Sequence, residues 1–162
     1  MYCYKYPHPA VTADCIVFNR ERDKISVLLI KRKNEPYKDC WAFPGGFINI
    51  DESAEDAAVR ELKEETGLEV SKIEQLKAYS NPDRDPRERV ITIAFIAESK
   101  IKEVNGRDDA KEARWFDISQ LPPLAFDHEQ ILKDAFKIIR NGGLPTFVEL
   151  KIGSQETSVP KI

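Results

Sequence analysis

The stretch Gly45–Leu68, GGFINIDESAEDAAVRELKEETGL, decides how this chain is read. A glycine pair leads through Glu52 into a run whose helix ends are visible. Ser53 is a good N-cap, and Asp56 three residues on supplies a capping-box-like start. Gly67 stands where a left-handed residue closes a helix. On a wheel of about 100° per residue, Val59, Leu62 and Thr66 fall together as a core-facing set. Glu61, Glu64 and Glu65 fall on another arc, shared with Ala54, Ala57 and Ala58. The glutamates therefore stand over small side chains that leave room for something. Arg60 lies four residues before Glu64 and can pair with it.

A solvated charged face is the ordinary reading of a Glu-rich helix. It fits poorly here, because like charges three and four residues apart repel and only one nearby arginine offsets them. Hard oxygen donors gathered on one face suit Mg²⁺ or Mn²⁺, which also take substrate phosphates into their shell. Gly45 and Gly46 reach backbone conformations closed to other residues, so the Gly45 carbonyl can turn toward such an ion.

The spacing Gly46, Glu52, then Arg60-Glu61-Leu62-Lys63-Glu64-Glu65-Thr66-Gly67-Leu68 resembles the Nudix box, with no departure at a fixed position. The resemblance implies an α/β fold, an α/β/α sandwich around a mixed sheet, and metal-dependent hydrolysis of a nucleoside diphosphate linked to another moiety. By motif position, Glu61 and Glu65 look like metal ligands, with Glu64 a third. Glu52 lies near them, and Arg60 is their orienting partner. The general base comes from the box helix, as Glu64, or from a later loop. There Glu103, Asp108, Asp109 and Glu112 are candidates, and Glu112 is the first choice.

The rest of the chain sets bounds. Its 162 residues suffice for one domain with a core, and 41% hydrophobic with 33% charged residues reads as globular and soluble. A net charge of −3 leaves no basic footprint for nucleic acid. No run is long and apolar enough for a membrane, and MYCYKYPHPA is not a signal peptide. Cys3, Cys15 and Cys40 form no CxxC pattern, which points to a reducing cytoplasm. Residues 1–9 form an aromatic arm, 10–143 the Nudix domain and 144–162 a C-terminal tail.

Strands are expected over Val11–Asn19, Ile25–Arg32, Glu69–Ser80, Val90–Ala97 and Ala113–Asp117. An amphipathic helix is expected over Asp127–Arg140, with Asp127 as its cap, a stripe through Ile131, Leu132, Ala135, Phe136 and Ile139, and Gly142-Gly143 as its stop. Strands, a helix, more strands and a final helix fit a sheet covered on two faces. His128 reads as a packing or capping residue. Lys31 and Arg32 close their strand with positive charge, either as a solvated end or as a phosphate contact that Arg32 would suit. The polar segment Asn81–Arg89, with Arg84 and Arg87, reads as a substrate-contacting loop.

Arg84-Asp85-Pro86-Arg87, Glu112-Ala113-Arg114-Trp115-Phe116 and Ala125-Phe126-Asp127-His128 resemble the ADP-ribose pyrophosphatase branch. That resemblance implies ADP-ribose as substrate, an aromatic stacked on adenine, and a homodimer served by the N-terminal arm. Two rival readings share the box. One is a sanitiser of oxidised nucleoside triphosphates, which has no need of the arginine loop. The other is a ligand sensor fused to a winged helix, for which the tail after Gly143 is too short.

Overall fold

The computed structural model describes residues 3–140. Nine elements follow in order: β1 (Ala10–Glu21), β2 (Lys24–Arg32), β3 (Trp41–Ala42), β4 (Gly45–Phe47), α1 (Ala54–Thr66), β5 (Glu74–Tyr79), β6 (Val90–Glu98), β7 (Ala110–Asp117) and α2 (His128–Arg140). One sheet runs β3-β2-β1-β6-β5, with β4 added to β1 and β7 to β2. β1 lies parallel to β6 along its length, from Ala10↔Val90 to Phe18↔Glu98. Its other edge is shared between β4, through Thr12↔Phe47 to Asp14↔Gly45, and β2, through Phe18↔Val27 to Glu21↔Lys24.

β1 is apolar on both faces because both are covered. Ala13, Cys15 and Val17 pack with Ala57, Ala58 and Leu62 of α1. Ile16 and Phe18 pack with Ile131, Leu132, Ala135 and Ile139 of α2. Burying a side chain such as Leu62 completely stabilises by about 1.5–3 kcal/mol. This is the α/β/α sandwich that the sequence implies. Ala57 and Ala58 are fully buried against the sheet, however. Their small size brings the helix close to β1, and the space beside Glu61 and Glu65 is lined by Gly45 and Gly46 rather than by these alanines.

The ends of α1 follow the sequence. Ser53 Oγ accepts from the Asp56 N–H at 3.1 Å, and Gly67 is left-handed with φ 74°. The following loop completes the C-terminus, where Asn105 and Arg107 N–H groups donate to Thr66 and Glu65 carbonyls at 3.1 and 2.9 Å. Asp127 stands at the N-cap of α2 as expected, its carbonyl accepting from the Ile131 N–H at 3.1 Å. Its side chain goes elsewhere: both oxygens accept from Arg84, and the Gln130 amide donates to Asp134. β4 was not anticipated, and β5 begins at Glu74 rather than Glu69. Residues 142–162, which include the glycine stop and the tail, lie outside the described residues. No helix among the described residues is long and apolar enough to cross a membrane.

Candidate active site

β4 brings the glycine pair between β1 and α1. In an antiparallel ladder a residue's N–H and C=O leave on the same side. The Gly45 N–H donates to Glu65 Oε2 at 2.9 Å, so its carbonyl also turns away from β1. Neither Gly45 nor Gly46 has a positive φ. The glycines are needed for close approach, not for unusual dihedrals. A Cβ on Gly46 would lie 2.4 Å from Glu61 Oε1, and one on Gly45 would lie 2.4 Å from the Ala13 carbonyl.

Arg60 gathers the box. Its Nε and Nη2 bind both Glu52 oxygens at 2.9 and 2.6 Å, and Nη1 reaches Glu61 at 2.7 Å and Glu64 at 3.0 Å. The three helix glutamates grade outward: Glu65 is buried, Glu61 half-buried and Glu64 exposed. Burial pushes the Glu65 carboxyl up to about 8, only partly opposed by its bond from Gly45. Burial also raises Glu61, against the opposing pull of Arg60. The Arg60 bond holds Glu52 low, at about 2.

Arg60, Glu61 and Glu65 border a cavity of about 360 Å³, which Glu52 and Glu64 do not line. Its acidic wall is Glu61 and Glu65, and its basic wall is Arg32, Arg84 and Arg87. Its floor, at the start of β1, carries Asp14. The Asp14 carboxylate is buried, accepts from Thr92 Oγ1 at 2.5 Å and stands 3.9 Å from His128 Nε2. Burial lifts it to about 6, with the Thr92 bond opposing. His128 packs as expected: its Nδ1 accepts from the Phe43 N–H at 3.0 Å and its ring stacks on Phe43. Burial pulls its pKa down to about 3. A larger apolar cavity of about 500 Å³ lies beside α2 between Leu121, Pro122 and Phe136, away from the carboxylates.

The arginines divide in role. Arg84 is buried and binds Asp127 through Nε and Nη2 at 3.0 and 2.7 Å, which ties its loop to α2. Arg87 is aimed by the buried Asp85, which takes its backbone N–H and two guanidinium nitrogens. It then reaches over Phe47 and Phe126, at 5.4 and 5.9 Å from their centroids. Arg32 also lies over Phe126, 4.9 Å from its centroid, and donates to the Pro36 carbonyl. Glu112 sits on β7 opposite Lys31, ion-pairs with Arg114 and does not line the cavity. Asp109 does line it, held by the Asn34 amide at 3.2 Å.

Asp14, Asp85 and Phe126 escaped the sequence reading as site residues. The signal for Asp14 was available: one acid inside an otherwise apolar strand.

The donor set fits a divalent cation. It offers two raised carboxylates, the Gly45 backbone beside Glu65, and exposed Glu64 held through Arg60. Among the described residues, no three acidic, His or Cys side chains stand in ready ligand geometry. Arg60 holds Glu61 and Glu64, which would have to turn from it to bind a cation.

Residues 8–135 match the NUDIX domain. The chain belongs to the Nudix family. This Nudix chain is 55% identical over 130 residues to the ADP-ribose pyrophosphatase of Methanocaldococcus jannaschii, an alignment covering 80% of this chain and 74% of that protein. It is 33% identical over 141 residues to the ADPR responsive transcriptional repressor NtrR of Acinetobacter baylyi, covering 84% of this chain but 56% of the repressor. Among solved structures, it resembles the NUDIX domain of Shewanella oneidensis NrtR complexed with ADP ribose, at 30% identity and a TM-score of 0.78 over 83% of this chain and 90% of that one.

Proposed function

We propose that this Nudix enzyme hydrolyses ADP-ribose with water to AMP and ribose 5-phosphate. The observation that carries the reading is one cavity lined both by the box carboxylates Glu61 and Glu65 and by Arg32, Arg84 and Arg87. That arrangement suits a diphosphate held between a cation and guanidinium groups. The likeness to the ADP-ribose pyrophosphatase supports the choice of substrate.

Glu61, Glu64, Glu65, Glu52 and the Gly45 carbonyl would hold Mg²⁺ or Mn²⁺. Such an ion would neutralise phosphate charge and lower the pKa of the attacking water. Arg60 positions the carboxylates. Arg32 and Arg87 hold the diphosphate, while Arg84 fixes the loop that presents Arg87. Among the loop carboxylates we place the general base at Asp109 rather than Glu112, because Asp109 borders the cavity. We also assign the protein to the cytoplasm as a homodimer, with exposed Tyr4 and Tyr6 as an adhesive arm. Light scattering in solution tests the dimer.

A turnover screen in Mg²⁺ and Mn²⁺ tests the reaction, using ADP-ribose, other ADP-sugars, diadenosine polyphosphates, NADH and 8-oxo-dGTP. ADP-ribose is expected to turn over fastest, and chelation to abolish its turnover. Clear turnover of another compound with none of ADP-ribose would replace the substrate. The relationship to NtrR keeps a sensor reading alive, which tight ADP-ribose binding without any turnover would favour.

A further inference from the structure

The strand end that carries Arg32 runs on into Lys33 and Asn34, and both line the same cavity. They meet residues 105–110, the loop that leads into β7 and carries Asp109. Lys33 grips the backbone of that loop twice. Its N–H donates to the Asp109 carbonyl at 3.1 Å, and its ammonium donates to the Asp108 carbonyl. Asn34 makes a side-chain contact across the gap, its amide nitrogen donating to Asp109 Oδ1 at 3.2 Å. Farther out, Lys111 Nζ binds Asp39 Oδ1 at 2.6 Å and closes the same two loops on each other.

The loop is also fixed from the side of the box helix. The Arg107 N–H donates to the Glu65 carbonyl at 2.9 Å. The Ala110 N–H then donates to the Arg107 carbonyl at 2.8 Å, closing a turn in which Asp108 is left-handed at φ 46°. Backbone bonds therefore run from the turn of α1 that bears Glu65, through residues 107–110, to the end of β2. They set the Asp109 backbone relative to the helix of carboxylates. They do not set its side chain, which is exposed and free to change rotamer. That is left to Asn34. Asp109 Oδ1 takes the amide, and among the described residues no hydrogen bond holds Oδ2.

We propose that Asn34 is a positioning residue for the hydrolysis: its amide holds Asp109 Oδ1 and so presents Oδ2 to the attacking water. An ionised carboxylate has acceptor sites on both oxygens, so holding one leaves the other to take the proton. A misplacement of about 1 Å costs a catalytic group on the order of a hundredfold in rate. The other use of an amide in a cavity wall is direct contact with the substrate, which shows in KM rather than in kcat. The inference deepens the ADP-ribose reading and rests on it, with Asp109 as the general base.

The test is steady-state hydrolysis of ADP-ribose by the full chain in wild type, Asn34→Ala, Asn34→Asp, Asp109→Asn and the Asn34→Ala/Asp109→Asn double variant, with thermal unfolding of each. Asn34→Ala is expected to keep its Tm, because an exposed side chain contributes little to folding. Its KM stays within about twofold of wild type, and its kcat falls about tenfold to a hundredfold. Asn34→Asp, of the same shape but without the donor, loses at least as much. Asp109→Asn loses about a hundredfold or more, and adding Asn34→Ala to it costs nothing further, as for two residues that act as a unit. Wild-type kcat in Asn34→Ala, a loss carried by KM instead, or a full second loss in the Asp109→Asn background overturns the proposal. Wild-type kcat in Asp109→Asn overturns the assignment of the base and the proposal with it. Wild-type protein that turns over no ADP-ribose overturns the underlying reading instead.

Discussion

One methyl group added at Gly46 separates the chemistry from the fold. In Gly46→Ala the new Cβ stands 2.4 Å from Glu61 Oε1 and 2.5 Å from Glu61 Cδ, where ordinary contact begins at 3.4 Å. The carboxyl group must retreat by about 1 Å, a misplacement that costs on the order of a hundredfold in rate, or about 2.7 kcal/mol in the barrier. What gives way is the end of a flexible side chain, so β4 keeps its place. The stability loss is confined to the partly buried Glu61–Arg60 bond, about 1 kcal/mol, or about 3 °C in Tm. The same methyl at Gly45 meets backbone, the Ala13 carbonyl at 2.4 Å and Asp14 Cα at 2.8 Å. There the cost falls on the β1–β4 ladder, about 1–3 kcal/mol or more. The assay pairs kcat/KM for ADP-ribose with thermal unfolding of both variants. Gly46→Ala is expected to remain folded with kcat/KM reduced about a hundredfold, while Gly45→Ala melts earlier. Wild-type kcat/KM in Gly46→Ala, or melting as early as Gly45→Ala, refutes the reasoning.

Three further outcomes are expected. Glu65→Gln keeps an oxygen for the Gly45 N–H but cannot take up the charge that a cation would draw from it, so kcat falls about a hundredfold or more while the metal-free Tm at pH 7 changes little, because burial already holds the wild-type carboxyl mostly neutral there; unchanged kcat removes the metal-ligand assignment. Arg84→Ala leaves Asp127 without its partner and destabilises by about 3 kcal/mol, and Arg84→Lys recovers little, since the paired geometry needs a guanidinium; denaturant titration reads both. Asp134 is held below its ordinary 3.8, chiefly by the Lys77 bond. A carboxylate lowered on folding contributes stability above its unfolded pKa and loses it as pH falls through the folded value. Asp134→Asn therefore destabilises at pH 7, and its Tm gap to wild type closes in acid; a gap that stays constant with pH counts against the linkage.

The legible parts of the fold were those set by near neighbours. Ser53, Asp56 and Gly67 act within one turn of α1, and they fixed its ends to the residue. The stripe of α2 was equally readable from its spacing. β4 was not, because a glycine pair disfavours a strand until β1 pairs with it. The alanines of α1 showed their size but not their neighbour, so a close contact with the sheet read as open room. Arg84 and Arg87 look alike in sequence. What distinguishes them is Asp127, 43 residues beyond Arg84, which takes one guanidinium out of the cavity's service.

That Arg84–Asp127 pair also bears on how the molecule can be re-engineered. In the proposed reading, Arg87 and Phe126 sit on two segments, around residues 81–89 and 124–128, that are latched together, while Arg32 belongs to β2. The carboxylates sit on a different segment, β4 to α1. The recognition segments can therefore be exchanged between relatives as a cassette without touching the hydrolytic helix, provided that both halves of the latch travel together. A graft carrying the arginine loop alone would bring a guanidinium into a closed space with no acid to meet it.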